Sequence, residues 1–127
     1  MNDQEMIEAA KRAAEHAYAP YSNFRVGAVV KAPDGRVFGG ANVENGAYGS
    51  SVCAETVAIV NAVAHGVRKI DSIAVACIDA DTLDGGYPCG NCRQHMQEFE
   101  TLRVIVSVGD DHRTHELEDL LPYGFEL

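Results

Sequence analysis

The sequence has few positive charges. Lysine and arginine together number 10 against 19 acidic residues, so the formal net charge of the 127-residue chain is −9 at pH 7. Proteins that bind nucleic acids draw much of their affinity from lysine and arginine side chains that replace counterions along the phosphate backbone. The shortage of such side chains argues against a nucleic-acid-binding protein and favours a small, uncharged or weakly charged ligand.

The chain also lacks the hydrophobic segments that target a protein to a membrane. No apolar stretch approaches the roughly 20 residues that a membrane-spanning helix needs. Residues 1–5 are polar and acidic, unlike a secretory signal, which begins with a basic and then an apolar region. Four cysteines in such a chain are more typical of reduced thiols or metal ligands than of disulfides. We therefore expect a cytoplasmic protein.

Length and patterning predict a single domain over residues 1–127, because a hydrophobic fraction of 46% supports one globular core. Apolar residues at helical spacing predict a helix over 3–18, and Pro33-Asp34-Gly35 predicts the turn of a β-hairpin. The hairpin strands and the later elements are predicted at 24–32, 36–43, 53–64 (helix), 70–79 (strand), 88–98 (helix), 102–108 (strand) and 116–121 (helix). This order predicts a mixed sheet covered by helices, an α/β sandwich.

Three cysteines have the spacing of a metal site. Cys53 is followed later in the chain by Cys89 and Cys92, which lie within Pro-Cys-Gly-Asn-Cys. Cys89 and Cys92 fall on one face of the first turn of a predicted helix, where free N–H groups and the helix dipole favour thiolates. A catalytic zinc has three protein ligands and keeps a position for water, whereas a structural zinc has four. The pattern therefore predicts one catalytic Zn²⁺ per chain.

Glu55 lies two residues after Cys53, where its carboxylate can reach a water on the metal. Zinc acidifies a bound water, and a carboxylate beside that water can accept its proton and pass it to a leaving nitrogen. We predict that Glu55 is this proton shuttle. Three thiolates leave the zinc site with a net negative charge, and Arg93, directly after Cys92, is the predicted compensating group.

Taken together, these motifs and several flanking segments resemble the zinc-dependent cytidine deaminases of the homotetrameric type. The segments that carry the resemblance are residues 18–22 (Tyr-Ala-Pro-Tyr-Ser), 24–28 (Phe-Arg-Val-Gly-Ala), 42–45 (Asn-Val-Glu-Asn) and 120–122 (Leu-Leu-Pro) with Phe125. The resemblance covers nearly the whole chain. It implies a cytidine deaminase-like fold, a three-layer α/β/α sandwich with a mixed five-stranded sheet.

The resemblance also implies how a nucleoside is held. Asn42 and Glu44 would hold a ribose hydroxyl, Phe24 would pack against the base, and the backbone N–H of Ala54 would bind the pyrimidine carbonyl. One amide and one carboxylate together satisfy the donor and acceptor roles of a hydroxyl. Without the resemblance, Asn42 and Glu44 are interpreted as polar residues at the edge of a turn, and Phe24 as a packing residue.

Tyr48 and Phe125 would, by the same resemblance, reach into the pocket of a neighbouring subunit, so the partners implied are a nucleoside and three further copies of the chain. Taken alone, Phe125 is interpreted as a core or interface residue. One departure concerns position 56, where the family often has arginine and this chain has Thr56. Our hypothesis is that Arg93 then acts alone on the thiolate charge.

The predicted activity is the hydrolytic deamination of cytidine and 2′-deoxycytidine in pyrimidine salvage. The main alternative is a deaminase of blasticidin S or of N4-modified cytidine, which would share the metal site and differ at the sugar. An RNA- or DNA-editing deaminase would need a basic groove, which the acidic composition disfavours. A non-catalytic zinc module would have a fourth ligand or lack Glu55.

Several other polar residues are not assigned to the site. Cys77 falls in a buried apolar run and is predicted to be a core thiol rather than a fourth ligand. His112 and His115 have metal-like spacing but are predicted to lie in a solvated, charged turn. The sequence assigns no role to His95 or Tyr87.

Overall fold

The computed structural model describes residues 1–127 and contains one five-stranded sheet with helices on both of its faces. The helices are α1 (Asp3–Ala14), α2 (Ala54–Ala64), α3 (Gly90–Glu98) and α4 (Leu117–Leu120). The strands are β1 (Val26–Lys31), β2 (Val37–Ala41), β3 (Ser72–Cys77), β4 (Arg103–Val108) and β5 (Asp111–Glu116). Short 3₁₀ helices lie at Tyr48–Ser50 and Leu83–Gly86. None of the helices combines the length and the apolar character that crossing a bilayer requires.

The strand order is β2-β1-β3-β4-β5, and only β3 and β4 run parallel. Helix α3 makes the crossover between these two strands, as a parallel pair requires. Both strands are buried almost throughout, in agreement with their continuous apolar sequences. The mixed five-stranded sheet and the α/β/α layering confirm the predicted fold class.

The two faces of the sheet carry two different cores. Helix α1 covers one face with Met6, Ile7 and Ala10, which pack on small or β-branched residues of β1, β3 and β4. Helices α2 and α3 cover the other face and form the larger core. Gly27 and Gly40 permit this close layering, since a Cβ at Gly27 would lie 1.9 Å from Ala10 O. A Cβ at Gly40 would lie 2.5 Å from the backbone nitrogen of Ala58 in α2.

Two element predictions were wrong in instructive ways. The first helix ends at Ala14 rather than at residue 18, because Tyr18 forms a backbone bridge with Val43 and its N–H donates to Asn42 O at 2.9 Å. The segment that includes His112 and His115 is edge strand β5, not a charged turn. Its backbone pairs with β4 over six residue pairs, although its side chains are mostly exposed.

Candidate active site

The first turns of α2 and α3 bring the three predicted cysteines together. Cys53 is the N-cap of α2, Cys89 is the N-cap of α3, and Cys92 lies in the first turn of α3. Both N-caps have extended backbone, and neither side chain caps its own helix. The thiols therefore stay available, and the three Sγ atoms lie within 4.8 Å of one another.

This cluster has the donor set and the spacing that zinc prefers. With Zn–S bonds of about 2.3 Å in tetrahedral geometry, two sulfur ligands of one ion lie about 3.8 Å apart. The separations between the cysteine sulfurs, all within 4.8 Å, are compatible with that value. Cys77 is not part of the cluster, because its Sγ donates to Gly86 O at 3.6 Å. Burial raises the pKa of Cys77 to about 12, as suits a core thiol.

Cys53 and Cys92 are paired within the cluster. The Cys92 thiol donates a hydrogen bond to Cys53 and lowers the pKa of Cys53 to about 6. The same pairing and burial raise the pKa of Cys92. Thr56, in the next position after Glu55, places its hydroxyl 3.7 Å from Cys92 Sγ. Thr56 is thus itself a polar neighbour of the cluster.

Glu55 is a buried carboxyl group beside these thiols. Its side chain projects from the first turn of α2 and is only 5% exposed. Desolvation, together with the negative charge of Cys53, raises the pKa of Glu55 to about 7. A carboxyl group in this setting can exist in both protonation states near neutral pH, which is what proton transfer in both directions requires.

A cavity of about 420 Å³ opens onto Glu55 and contains most of the predicted site. Its predicted lining residues are Phe24, Asn42, Glu44, Cys53, Ala54, Glu55 and Cys89. Ala54 is the first residue of α2, so its backbone N–H has no carbonyl partner within the helix. The cavity therefore combines a metal-binding cluster, a buried carboxyl group, an aromatic ring and a free N–H donor.

Asn42 and Glu44 also hold the cavity wall in place. Asn42 Oδ1 accepts from the N–H of Val26 at 2.9 Å, and its Nδ2 donates to Phe24 O at 2.8 Å. Glu44 Oε1 accepts from the backbone N–H groups of Tyr21 and Ser22 at 3.0 and 3.1 Å. The Ser22 hydroxyl donates to Glu44 Oε2 and is the main reason why the pKa of Glu44 is lowered.

Tyr48 and Phe125 do not line this cavity. Tyr48 is 77% exposed and borders a neighbouring cavity of about 330 Å³, which shares Ser22 and Glu44 with the first. Phe125 is 68% exposed, while its backbone carbonyl accepts from Gln94 and Gln97 of α3 at 3.0 Å each. Within one chain, neither residue contributes to the cavity that contains Glu55.

Arg93 is also directed differently from the sequence expectation. Its Nε donates to Pro88 O at 2.8 Å, and its Nη1 donates to Leu120 O at 2.7 Å. The guanidinium group therefore fixes the segment that precedes Cys89 to α3 and α4. The hydrogen bonds of the guanidinium group are to carbonyl oxygens rather than to sulfur.

Sequence reasoning missed several residues of the cavity wall. Ser22, Val26, Cys77, Gly85, Gly86 and Tyr87 also line the cavity. Tyr87 donates to or accepts from His115 across the sheet edge, with its hydroxyl 2.7 Å from Nε2. Its position directly before Pro88 and Cys89 was the available signal, because any residue there must lie near the cluster.

Comparisons with known proteins agree with this geometry. Residues 1–108 match the family model described as the cytidine and deoxycytidylate deaminase zinc-binding region. The cytidine deaminase of Halalkalibacterium halodurans is 41% identical over 128 residues, covering 98% of this chain and 95% of that protein. The cytidine deaminase of Sporosarcina psychrophila is 46% identical over 99 residues, covering 78% of this chain and 71% of that protein.

Solved structures show the same likeness. The crystal structure of cytidine deaminase from Burkholderia pseudomallei superposes with a TM-score of 0.90 at 45% identity, covering 98% of this chain and 100% of that one. The cytidine deaminase from Mycobacterium tuberculosis superposes with a TM-score of 0.80 at 35% identity, covering 100% of both chains. With its three-thiol cluster and buried Glu55, the chain belongs to the cytidine and deoxycytidylate deaminase zinc-binding family.

Proposed function

We propose that this chain catalyses the hydrolysis of cytidine and 2′-deoxycytidine to uridine and 2′-deoxyuridine with release of ammonia. The observation that carries the proposal is the buried Glu55 beside three clustered thiols, at the wall of one cavity. A cavity of about 420 Å³ lies within the size range of small-molecule sites, roughly 300–1,000 Å³. Relatives at 40–46% identity that carry the name cytidine deaminase support the same substrate.

Cys53, Cys89 and Cys92 would hold the zinc ion. When bound, zinc acts as a Lewis acid that acidifies a water molecule near neutral pH. The positive ends of α2 and α3 stabilise the thiolates, because the cysteines sit at the N-termini of both helices.

Glu55 would carry the protons of the reaction. A carboxylate oxygen accepts a proton from the attacking water and donates it to the ring nitrogen next to the reacting carbon. The same carboxyl group then accepts the second proton of that water and transfers it to the exocyclic nitrogen, which leaves as ammonia. One residue can do both because its buried position keeps water from competing for these protons.

The remaining lining residues would orient the nucleoside. Phe24 packs against the base, and the Ala54 N–H donates to the pyrimidine carbonyl. Asn42 and Glu44 hold the sugar, since each keeps hydrogen-bonding capacity beyond its bonds within the chain. Arg93 would hold the segment before Cys89 in place through its hydrogen bond to Pro88 O.

We also propose that residues 1–127 form one catalytic domain and assemble as a homotetramer with shared active sites. The exposure of Tyr48 and Phe125 supports this assembly, because their own chain leaves both aromatic rings largely in solvent, where a neighbouring subunit would bury them. The proposed setting is cytoplasmic pyrimidine salvage, a compartment in which the ligand thiols stay reduced.

The test follows the loss of cytidine absorbance with purified wild type and Glu55→Gln, with zinc measured in both. Glu55→Gln keeps the shape and removes the proton acceptor, so we expect about one zinc per chain and a fall in kcat of at least about 10²–10⁴-fold. Glu98→Gln, an exposed change on α3, is the matched control and should retain wild-type kcat.

Wild-type protein that binds zinc and leaves cytidine intact would contradict the proposed substrate. Blasticidin S and N4-modified cytidines are then the compounds to assay. Full activity in Glu55→Gln would contradict the role of the carboxylate while leaving the substrate assignment intact.

A further inference from the structure

Three consecutive residues that precede a metal ligand are each fixed to a different part of the fold. We call residues 86–88 (Gly-Tyr-Pro) the wall segment. Gly86 O accepts from Cys77 Sγ at 3.6 Å, the Tyr87 hydroxyl lies 2.7 Å from His115 Nε2, and Pro88 O accepts from Arg93 Nε at 2.8 Å. The wall segment is therefore held rigidly just before Cys89.

The wall segment is packed against the sheet at Gly86 and cannot move closer to it. A Cβ at this position would lie 2.7 Å from Val108 Cγ2 and 3.3 Å from Val106 Cγ1, so its backbone already rests on β4. Gly86 and Tyr87 both line the cavity that contains Glu55 and Cys89. Any group that is too large for the cavity at this point cannot push the wall segment back toward the sheet.

The register of β5 explains why His115 reaches Tyr87. His115 pairs with Val104, and Arg113 pairs with Val106, both of which face the larger core beneath α2 and α3. Residues directly opposite in an antiparallel pair point to the same face. His115 and Arg113 therefore lie on the cavity side, and Arg113 Nη1 approaches the Tyr87 hydroxyl at 3.4 Å. His112 pairs with Ser107 and points to the opposite face.

The rings of Tyr87 and His115 also pack together, with centroids 5.3 Å apart and an interplanar angle of 56°. Tyr87 is half-buried and packs against the larger core. Its phenol is thus fixed at the hydroxyl by one strand and at the ring by the core. A lining residue held in this way presents a constant surface to the cavity.

We propose that Tyr87, positioned by His115, is a specificity-determining residue that excludes cytidines with a substituent next to the reacting carbon. This inference rests on the proposed function. The reacting carbon must lie beside Glu55 and the cysteine cluster, and Tyr87 is the cavity-lining residue two positions before Cys89. The positions next to the reacting carbon that can carry a methyl group are the exocyclic nitrogen and carbon 5 of the ring.

The experiment compares kcat/KM for cytidine, N4-methylcytidine and 5-methylcytidine in wild type and in Tyr87→Ala. One methyl group in a tightly packed pocket changes kcat/KM by about 10–200-fold. We expect wild type to prefer cytidine over at least one methylated substrate, and Tyr87→Ala to reduce that preference by roughly tenfold or more. The ratio of two substrates on one preparation does not depend on the fraction of active enzyme, so partial misfolding cannot imitate the result.

Two gentler variants test the anchor itself. Tyr87→Phe keeps the ring and removes the hydroxyl, and His115→Ala removes its partner. Both should shift the preference in the same direction as Tyr87→Ala by a smaller factor, with zinc content unchanged. His112→Ala is the matched control on the opposite face of β5 and should keep the wild-type ratio.

Three outcomes would overturn the inference. They are a wild type that accepts both methylated substrates as readily as cytidine, a Tyr87→Ala ratio within about twofold of wild type, and a His112→Ala shift as large as that of His115→Ala. Failure of the proposed function would look different, because wild type would then not deaminate cytidine at all.

Discussion

Replacing Gly40 by alanine tests how closely helix α2 is packed on the sheet. The new Cβ would lie 2.5 Å from Ala58 N, 2.9 Å from Ala54 O and 2.9 Å from Val57 Cβ. Two of these atoms are backbone, so no side-chain rotation relieves the contact. Ordinary van der Waals contact begins at 3.4 Å, which requires α2 to move away by about 0.9 Å.

This displacement has a predictable free-energy cost. Overpacking a well-packed interior usually destabilises a protein by about 1–3 kcal/mol. For a chain of this length, 1 kcal/mol corresponds to about 4 °C in Tm, so we expect Tm to fall by about 4–12 °C.

The same displacement should impair catalysis, because α2 begins beside Cys53 and carries Glu55. A misplacement of about 1 Å at a reacting group can reduce the rate by about 10²-fold. We therefore expect Gly40→Ala to lower both Tm and kcat, measured by thermal unfolding and by the cytidine absorbance assay at a temperature where the variant is folded.

Two neighbouring glycines serve as controls. Gly39→Ala places its Cβ 3.8 Å from Ala28 O, and it should leave both quantities near wild type. Gly27→Ala meets the backbone of α1 on the opposite face of the sheet, so it should lower Tm without lowering kcat of the folded enzyme. Gly40→Ala with the Tm and kcat of Gly39→Ala would refute the reasoning.

Two further predictions concern pH and metal. The Arg25 guanidinium lowers the pKa of Asp79 to about 2 through direct hydrogen bonds. The pair therefore stabilises the fold fully above the unfolded pKa of Asp, about 3.9, and this stabilisation is lost as the pH falls through about 2. The Tm difference between wild type and Asp79→Asn should therefore be constant above about pH 5 and shrink in acid; a difference that does not change with pH would contradict this. Cys77→Ala should keep about one zinc per chain, whereas Cys92→Ala should lose it. Metal analysis of both proteins decides the point, and loss of zinc from Cys77→Ala would be the contrary result.

The sequence was most informative where burial is uniform. Strands β3 and β4 have continuous apolar sequences because helices cover both of their faces, and both were predicted within a few residues. Strand β5 was missed because its sequence, Asp-His-Arg-Thr-His-Glu, has no apolar alternation. Its strand character comes from backbone pairing with β4, which leaves no mark in the composition.

The site shows the same division. The pair Cys53 and Glu55 and the pair Cys89 and Cys92 are each local, so the sequence placed each pair at a helix N-terminus; that the two pairs form one site followed from the three ligands that a catalytic zinc takes. The partner of Tyr87 is 28 residues away on an edge strand, and the direction of Arg93 depends on Leu120 O, which is 27 residues away. Contacts of this kind depend on register and on helix packing, and a spacing rule cannot supply them.

The residues proposed to bind the sugar and the residue proposed to pack against the base belong to one hydrogen-bonded unit. Asn42 binds both Phe24 O and the N–H of Val26, while Glu44 binds the N–H groups of Tyr21 and Ser22. The ring of Phe24 is therefore placed by the same side chains that would hold the ribose. Because these bonds exist before any substrate arrives, binding needs little ordering of the pocket. A nucleoside that lacks the matching sugar hydroxyl would lose its own contacts with Asn42 and Glu44, but Phe24 would remain in position to receive the base.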